Sequence, residues 1–327
     1  MIRKLREAGF KERLFDTDDT VLNYVQGPPT GPPLLLIPGQ TLPWQSYQYV
    51  LPLLSPFYTT YAVDVRGHGK SGHTPGRYTY ANFGKDMLAF IRHIIGSPTI
   101  VSGNSSGGVI AVWLGAFAPE WINGVIGEDP PLFSSMWPRI MECFVYRVMK
   151  LCEETVGSPH GRDLGKFFAR FEVPGQKGKH IMRMPKILSV LISTFIRMYQ
   201  DGDNSKVVNL PFLPLNIRLF IKGLSEYDPE FTKAFIDNSV HNDFDHGVAL
   251  SKMQCPMLLV HANWFYHETL GLVGALDDKD VAHVQELVKD FHYVKIETGH
   301  IIHIERPKRF MQEVRSFYSY VIRKGSV

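Results

Sequence analysis

The stretch "TIVSGNSSG", residues 99–107, decides the fold. Its first four residues are typical of a short buried strand, and a helix is predicted over about 106–118. Gly103 and Gly107 frame the junction as G-x-S-x-G. A tight turn from strand to helix needs glycines there, because the two elements approach too closely for Cβ atoms. The sequence therefore predicts a sharp strand-turn-helix unit with a serine at its apex.

Ser105 is the serine at that apex and the candidate nucleophile. Such a turn lifts one serine oxygen above the edge of a sheet. The backbone N–H of Ser106, at the helix start, would then point towards an oxyanion that develops during acyl transfer. The plainer interpretation is a Ser/Gly turn at a helix N-cap, with no chemistry attached.

Strand and helix patterns alternate on both sides of this turn. A hairpin is predicted over 13–27, and "PLLLIPG" (33–39) suits a buried parallel strand. The remaining predicted strands are 58–69 (with its Gly-rich exit), 99–103, 124–129, 256–262 and 293–300. The predicted helices are 80–95, 106–118, 277–291 and 307–324, and apolar residues also recur at near-helical spacing over 44–54. This alternation indicates βαβ units and a parallel sheet covered on both faces.

The alternation stops after Pro131. From about 132 to 248 the sequence predicts helices and no strand, and the α/β pattern then returns. A chain of 327 residues suits one large domain with an inserted sub-domain. We therefore expect an α/β core formed by 1–131 and 249–327, interrupted by a helical cap at 132–248.

Composition excludes several classes of function. The net charge is +3 and no basic stripe with interleaved aromatics is visible, so we expect no nucleic-acid partner. Cys143, Cys152 and Cys255 form no CxxC and no metal spacing, which favours a reducing compartment and no metal. The N-terminus has no apolar signal-peptide core, and no apolar run is long enough to span a bilayer. We expect a cytoplasmic protein without membrane insertion, either monomeric or a small oligomer such as a homodimer.

One of the 13 histidines lies where a base is expected. His300 stands in "GHIIHIERP" (299–307), after the last predicted strand and before the last helix. A serine hydroxyl is a poor nucleophile until an imidazole takes its proton. His303 and His68 are interpreted as structural. His261, at the end of a predicted strand, is a candidate for lining the site.

These motifs together resemble the α/β-hydrolase fold superfamily. Besides the serine turn, "LLLIPGQ" (34–40), "DVRGHGKS" (64–71) and the histidine loop match the family, and the helical block lies where the family inserts its cap. The resemblance covers about 20–131 and 250–322. It implies a mostly parallel sheet flanked by helices, a serine hydrolase mechanism and no cofactor.

The resemblance also implies a second oxyanion donor in the loop that follows the third strand. In this sequence that donor is the backbone N–H of Gln40 or of Thr41. The side chain of Gln40 is expected either to reach the substrate or to hold the loop.

The triad carboxylate departs from the usual family pattern. Most members place it shortly after the seventh strand, but "VHANWFYHE" (260–268) has no acidic residue at the expected positions. Some branches, including haloalkane dehalogenases and zearalenone-type lactonases, take the acid from the end of the sixth strand. In this sequence that end is "GED" (127–129).

Asp129 is the preferred acid within "VIGEDPPLF" (125–133). Pro131 has no N–H, so Asp129 cannot form the usual Asx-turn. Pro130 biases Asp129 towards extended backbone, which would present the carboxylate at the sheet edge. Glu128 alternates to the other side of the strand, where it would pair with a cation or face solvent.

Other acids stay open as alternatives to Asp129. They are Glu128, Glu268, and the cluster Asp277, Asp278 and Asp280, which is otherwise interpreted as a helix start. A chain with no triad carboxylate at all is a further alternative.

The cap segment is rich in Met and Phe, which suit a pocket for apolar ligands. The tentative substrate-binding residues are Met136, Trp137, His261, Trp264 and Phe265. The sequence therefore predicts a carboxylesterase or lactonase for a hydrophobic substrate of moderate size. Amide, thioester or C–C hydrolysis would use the same residues, and a non-catalytic ligand-binding or signalling protein on this scaffold is the alternative from another class.

Overall fold

An eight-stranded sheet forms the centre of the computed structural model, which describes residues 2–157, 163–174, 181–183, 186–203 and 206–325. The strands, β1 to β8 in chain order, are Lys11–Asp16, Val21–Gln26, Pro33–Ile37, Thr59–Val63, Thr99–Asn104, Ile122–Glu128, Met257–His261 and Phe291–Lys295. Their spatial order is β1-β2-β4-β3-β5-β6-β7-β8. The β1–β2 and β2–β4 pairs are antiparallel, and the other pairs are parallel. The predicted fold class, a mostly parallel sheet flanked by helices, is confirmed.

Alternating side chains of the central strands feed two separate cores. Leu34 and Leu36 of β3 pack on one face of the sheet, and Leu35 and Ile37 pack on the other. The first face is covered by helix Pro307–Gly325, and the second by helices Tyr80–Phe90 and Ser106–Phe117. Side chains of β3 are buried on both faces of the sheet, which is why this strand is a continuous apolar run rather than an alternating one.

Some local elements differ from the sequence-based expectation. The predicted helix over 80–95 ends as an α-helix at Phe90 and continues as a π-turn, Ile91–Ile95. The predicted helix over 277–291 spans Asp278–Leu287. The helical spacing over 44–54 corresponds to two short helices, Trp44–Tyr49 (3-10) and Leu51–Leu54. Short elements that the patterns did not predict are Arg3–Glu7, Pro119–Trp121 (3-10), Ile302–Glu305 and the hairpin strands Phe265–His267 and Gly271–Val273.

The described chain between β6 and β7 is mainly helical. Its helices are Arg139–Glu142 (3-10), Phe144–Thr155, Leu164–Arg170, Lys186–Gln200, Leu215–Glu226, Pro229–Ile236, Ser239–His241 (3-10) and His246–Lys252. Residues 158–162, 175–180, 184–185 and 204–205 of the predicted cap lie outside the described residues.

The expectation of no strand in this segment is wrong. Glu172–Pro174 and Ile181–Arg183 pair as a small antiparallel hairpin. Strands of three residues are too short to display a period-two pattern, so the sequence carried no signal for them. The predicted boundary after residue 248 falls inside helix His246–Lys252, which packs against helix Ser106–Phe117 of the core.

The turn between β5 and its helix is held by backbone-to-backbone contact. A Cβ atom on Gly103 would lie 2.0 Å from the carbonyl oxygen of Gly107. A Cβ atom on Gly107 would lie 2.3 Å from the carbonyl oxygen of Ile37, at the end of β3. Both glycines of the motif are therefore required by space, as the sequence predicted.

We expect Gly103→Ala to destabilise the fold by about 3 kcal/mol, the upper end of the cost of overpacking, because the clash is with rigid backbone. Gly247→Ala is the matched control, because its Cβ would meet no atom closer than 3.3 Å. Urea unfolding of both variants measures the difference. Equal stability of Gly103→Ala and wild type would contradict the close packing described for this turn.

Candidate active site

Ser105 sits at the apex of the turn in a conformation uncommon for a residue with a side chain. Its φ and ψ are 53° and −126°. The backbone N–H of Ser105 donates to the carbonyl oxygen of Glu128 on the neighbouring strand at 2.9 Å, and its own carbonyl accepts from Gly108 at 2.8 Å. These bonds fix the serine at the carboxyl ends of the parallel strands, where Ser105 is partly exposed.

The two segments that carry the expected oxyanion donors lie beside this serine. Ser106 is the first residue of helix Ser106–Phe117, where N–H groups have no partner within the helix. The loop after β3 packs directly on the serine, since a Cβ on Gly39 would lie 2.8 Å from Cβ of Ser105. Gln40, the next residue, is thereby placed at the same edge of the sheet.

The side chain of Gln40 holds the loop, one of the two roles expected for it. Its Nε2 donates to the hydroxyl of Tyr227 at 2.6 Å. That hydroxyl also bonds to Oγ1 of Thr232 at 2.7 Å, and both partners are buried. The loop that follows β3 is thus tied to the helical segment between β6 and β7.

The structure brings Asp129 and His300 together. Nδ1 of His300 lies 2.7 Å from Oδ2 of Asp129, and the other carboxylate oxygen accepts from the backbone N–H of Ala262 at 3.0 Å. Asp129 is 1% exposed, whereas the imidazole is 42% exposed. The carboxylate is therefore buried with both oxygens engaged, while the ring keeps a face open to solvent.

The histidine loop is anchored next to the serine turn. Nδ2 of Asn104 donates to the carbonyl oxygen of His300 at 3.2 Å and to that of Glu128 at 3.3 Å. Within the described residues Ser105 Oγ has no hydrogen bond to His300, so the imidazole is paired with Asp129 alone. Bonds between a nucleophile and its base are often long without substrate and tighten when it binds.

The electrostatic surroundings favour a protonated His300. Burial by itself would lower the pKa of His300, but the hydrogen bond and charge of Asp129 raise it above the ordinary value of 6.5. The charges of Glu128 and Glu305 act in the same direction. The site therefore stabilises the imidazolium that a base becomes when it accepts a proton.

The backbone of Asp129 is not extended, as the sequence analysis expected from Pro130. Its φ is 46°, in the left-handed region. Asp tolerates that region better than most residues, and its N–H donates to the carbonyl oxygen of Val260 at 2.7 Å. Tertiary hydrogen bonds to β7 and to His300 outweigh the local preference and turn the carboxylate towards the imidazole.

Glu128, the last residue of β6, does not face solvent, one of the two placements expected for it. It is fully buried, and both its oxygens lie 2.8 Å from Nδ1 of His303. It makes no hydrogen bond to His300 in the described chain. His303, expected to be structural, is thus the partner of the second carboxylate.

The acidic cluster after β7 forms a helix start, as the plainer interpretation predicted. Asp277 caps helix Asp278–Leu287 in a capping box with Asp280, and Arg139 pairs with both at 3.0 and 2.8 Å. Asp278 accepts from the indole N–H of Trp264 at 2.9 Å. Glu268 is exposed. None of these acids is hydrogen bonded to His300 within the described residues.

His261 has no surface to offer a substrate. It is 0% exposed, and its ring nitrogens lie 3.0 Å from the hydroxyl of Tyr293 and 3.1 Å from the carbonyl oxygen of Leu276. Burial lowers the pKa of His261, so its ring is neutral. The expectation that it lines the site is not matched by this placement. His68 is likewise buried, with burial lowering its pKa to about 4.

The four apolar candidates for substrate binding are at least partly exposed. Trp264 packs edge-to-face on Tyr266, and Phe265 lies in the small hairpin after β7. Met136 and Trp137 follow β6, and the indole N–H of Trp137 donates to Phe235 at 3.3 Å. No hydrogen bond or ring contact joins these four to the Asp129–His300 pair in the part of the chain that the structure describes.

Three contributors to the site escaped the sequence analysis: Asn104, Tyr227 and Ala262. Asn104 occupies the variable position between the motif's first glycine and Ser105, which carries no prescribed side chain. Tyr227 and Ala262 act through partners 187 and 133 residues away. No local pattern signals such long-range hydrogen bonds.

Across the described ranges, no three His, Cys, Asp or Glu side chains converge as metal ligands. The cysteines Cys143, Cys152 and Cys255 are buried and form no disulfide. No described helix combines the length and apolar character needed to cross a bilayer.

Comparison with known proteins places this geometry in a family. The chain is 32% identical over 128 residues to the magnesium-chelatase 30 kDa subunit of Rhodobacter capsulatus. The aligned region covers 39% of this chain and 44% of that protein. It is 30% identical over 118 residues to 3-oxoadipate enol-lactonase 2 of Acinetobacter baylyi, covering 36% and 44%. The chain thus matches less than half the length of these curated relatives.

A solved structure of a membrane phospholipase A has the same fold, with a TM-score of 0.66 at 20% identity, over 97% of this chain and 88% of that one. Residues 34–313 match the alpha/beta hydrolase family, from β3 into the last helix. The predicted superfamily is confirmed: this chain belongs to the alpha/beta hydrolase family.

Proposed function

We propose that this protein is a serine hydrolase that cleaves a carboxylic ester or lactone of a moderately sized hydrophobic substrate. The observation that carries the proposal is the 2.7 Å hydrogen bond between the buried Asp129 carboxylate and His300, beside the strained turn at Ser105. A carboxylate on Nδ1 fixes the imidazole in the tautomer whose Nε2 accepts a proton.

In the proposed mechanism, Ser105 Oγ attacks the substrate carbonyl while His300 accepts its proton. Asp129 stabilises the imidazolium, and the N–H groups of Ser106 and Gln40 bind the oxyanion. His300 then gives the proton to the leaving group, which departs and leaves an acyl-enzyme. Water, deprotonated by the same imidazole, attacks this ester and releases the acid.

The Asp129–His300 pair favours an enzyme over a ligand-binding or signalling protein. Burying a carboxylate costs free energy unless hydrogen bonds offset the loss of water. A ligand-binding role gives no reason to bury Asp129 in order to hold one imidazole that is partly exposed. A serine at the turn argues against haloalkane or epoxide chemistry, which uses an aspartate there. Ester or lactone cleavage is preferred over amide, thioester or C–C cleavage because a relative is named an enol-lactonase.

The segment 132–248 is proposed as the cap over this site. Helix Leu215–Glu226 lies directly on the oxyanion loop, since a Cβ on Gly223 would be 1.6 Å from the carbonyl oxygen of Thr41. Together with the Gln40–Tyr227 bond, this contact couples the cap to the catalytic edge. Met136, Trp137, Trp264 and Phe265 remain the proposed contacts for an apolar substrate.

We expect a fluorophosphonate to label Ser105 in wild type, and Ser105→Ala to lose labelling and at least about 10⁴-fold in turnover of a short aryl ester. Ser102→Ala is the control, because Ser102 is buried in β5 and its hydroxyl has no hydrogen-bond partner among the described residues, so its loss should leave labelling unchanged. Mass spectrometry of the adduct measures the outcome. An unlabelled wild type, or equal labelling of Ser105→Ala, would overturn the serine hydrolase assignment.

We expect Asp129→Asn to lower kcat by roughly 10⁴-fold, the effect of neutralising the orienting carboxylate of a serine triad. Asp278→Asn should keep full turnover, because Asp278 is exposed and, among the described residues, its side chain is hydrogen bonded to Trp264 and not to His300. Comparing kcat of the two variants on one ester identifies the acid. Unchanged turnover in Asp129→Asn would contradict its role.

The acid limb of the pH profile should move when Asp129 is neutralised. His300 acts as a base only when neutral, so kcat/KM should rise with pH through its pKa, above 6.5 in wild type. Without the carboxylate, the hydrogen bond and charge of Asp129 that raise the pKa of His300 are lost, so its pKa should fall and the residual activity of Asp129→Asn should rise at lower pH than wild type. A limb that stays in place would show that another group titrates.

A further inference from the structure

We infer that Glu128 and His303 form a second carboxylate–imidazole pair, which positions the loop that carries His300. The inference rests on the proposed function, because it assigns this pair a task in the same active site. It concerns positioning residues, since neither side chain reaches the partly exposed edge where Ser105 lies.

Three short contacts hold Glu128 and His303 together. Each carboxylate oxygen of Glu128 lies 2.8 Å from Nδ1 of His303, and one of them also accepts from the backbone N–H of His303 at 2.9 Å. Both residues are 0% exposed. Among the described residues Nε2 of His303 has no hydrogen-bond partner, so the hydrogen bonds seen for this ring run to Glu128. Side chain and main chain of the loop are therefore held by one carboxylate.

Two consecutive carboxylates at the end of β6 hold two imidazoles. Asp129 binds His300, and Glu128 binds His303, which follows His300 by three residues. Between the two contacts the chain passes from loop into the short helix Ile302–Glu305. Fixing His303 therefore limits the positions available to His300, because three residues allow only a short reach.

Glu128 also contacts the nucleophile turn through its main chain. Its carbonyl oxygen accepts from the N–H of Ser105 at 2.9 Å and from Nδ2 of Asn104 at 3.3 Å. Displacing Glu128 would therefore shift the turn and the histidine loop relative to one another. A single residue sets the distance between the proposed nucleophile and base.

The ring of His303 is fixed from its other side as well. Tyr47 stacks on it with a centroid distance of 4.1 Å and an interplanar angle of 22°. The hydroxyl of Tyr47 donates at 2.9 Å to the carbonyl of Ile37, two residues before Gly39. The pair thereby connects the histidine loop to the start of the oxyanion loop.

Stability alone does not account for this pair. Replacing both partners of a buried polar pair with apolar residues of similar shape is often nearly neutral or stabilising. The pair is therefore better explained by the orientation it imposes than by the free energy of folding. This distinction separates a positioning role from a structural one and shapes the test.

The decisive comparison is Glu128→Gln against Glu128→Asp. Gln keeps the length and an oxygen that accepts both N–H groups of His303, so kcat should stay within about threefold of wild type. Asp keeps the charge but shortens the arm by about 1.5 Å. Its kcat should fall on the order of 10–100-fold, the cost of losing a supporting partner of a catalytic group, with KM nearly unchanged.

The measurement is kcat per site titrated with a fluorophosphonate, so unfolded protein does not count. Asp86→Asn is the control, because Asp86 is an equally buried carboxylate paired with Arg66. It should lower stability without changing kcat per titrated site. If Glu128→Asp and Glu128→Gln both match wild type, or if Gln is the more damaging, the positioning role is wrong.

Hydrogen exchange gives a readout that does not depend on activity. The amides of 298–305 should exchange faster in Glu128→Asp than in wild type and Glu128→Gln, because the loop loses its anchor. Unchanged protection in Glu128→Asp would overturn the inference even if Ser105 is labelled. Faster exchange in a protein whose Ser105 is not labelled would instead contradict the proposed function and retain the loop anchor.

Discussion

The site depends on the register of three neighbouring parallel strands, β5, β6 and β7, whose carboxyl ends lie side by side. β5 and β6 are paired so that Asn104 lies opposite Glu128, and β6 and β7 so that Glu128 lies opposite Val260. The ladder continues one step beyond the strands, because Ser105 donates to Glu128 and Asp129 donates to Val260. With neighbouring strands about 4.8 Å apart, a slip of one residue would separate these groups and turn the side chains to the other face.

That register lets the end of β6 supply two acids to two histidines, His300 and His303. Asp129 leaves the strand with a positive φ and points to His300, while Glu128 keeps the strand geometry and points to His303. Hydrogen bonds satisfy both carboxylates, so neither is an uncompensated buried charge. The proposed acid at the end of β6 also explains why the loop after β7 has no acid bonded to His300 in the described chain.

The sequence was sufficient where function and local geometry use the same residues. The glycines that frame Ser105 are demanded by backbone spacing, and the apolar run of β3 by burial on both faces, so both were predictable. The left-handed backbone of Asp129 could not be predicted, because contacts with β7 and the histidine loop override the preference for extended backbone that Pro130 imposes. The burial of Glu128 and the Gln40–Tyr227 bond depend on partners 175 and 187 residues away, which no local pattern encodes.

The central claim is that a buried acid at the end of β6 orients the base for a serine nucleophile. A crystal structure of the fluorophosphonate adduct tests it most directly. The account predicts phosphorus bonded to Ser105 Oγ, a phosphonyl oxygen within hydrogen-bond distance of the N–H groups of Ser106 and Gln40, and Nδ1 of His300 on Asp129. An adduct on another residue, or an imidazole paired with the acids at 277–280, would contradict it.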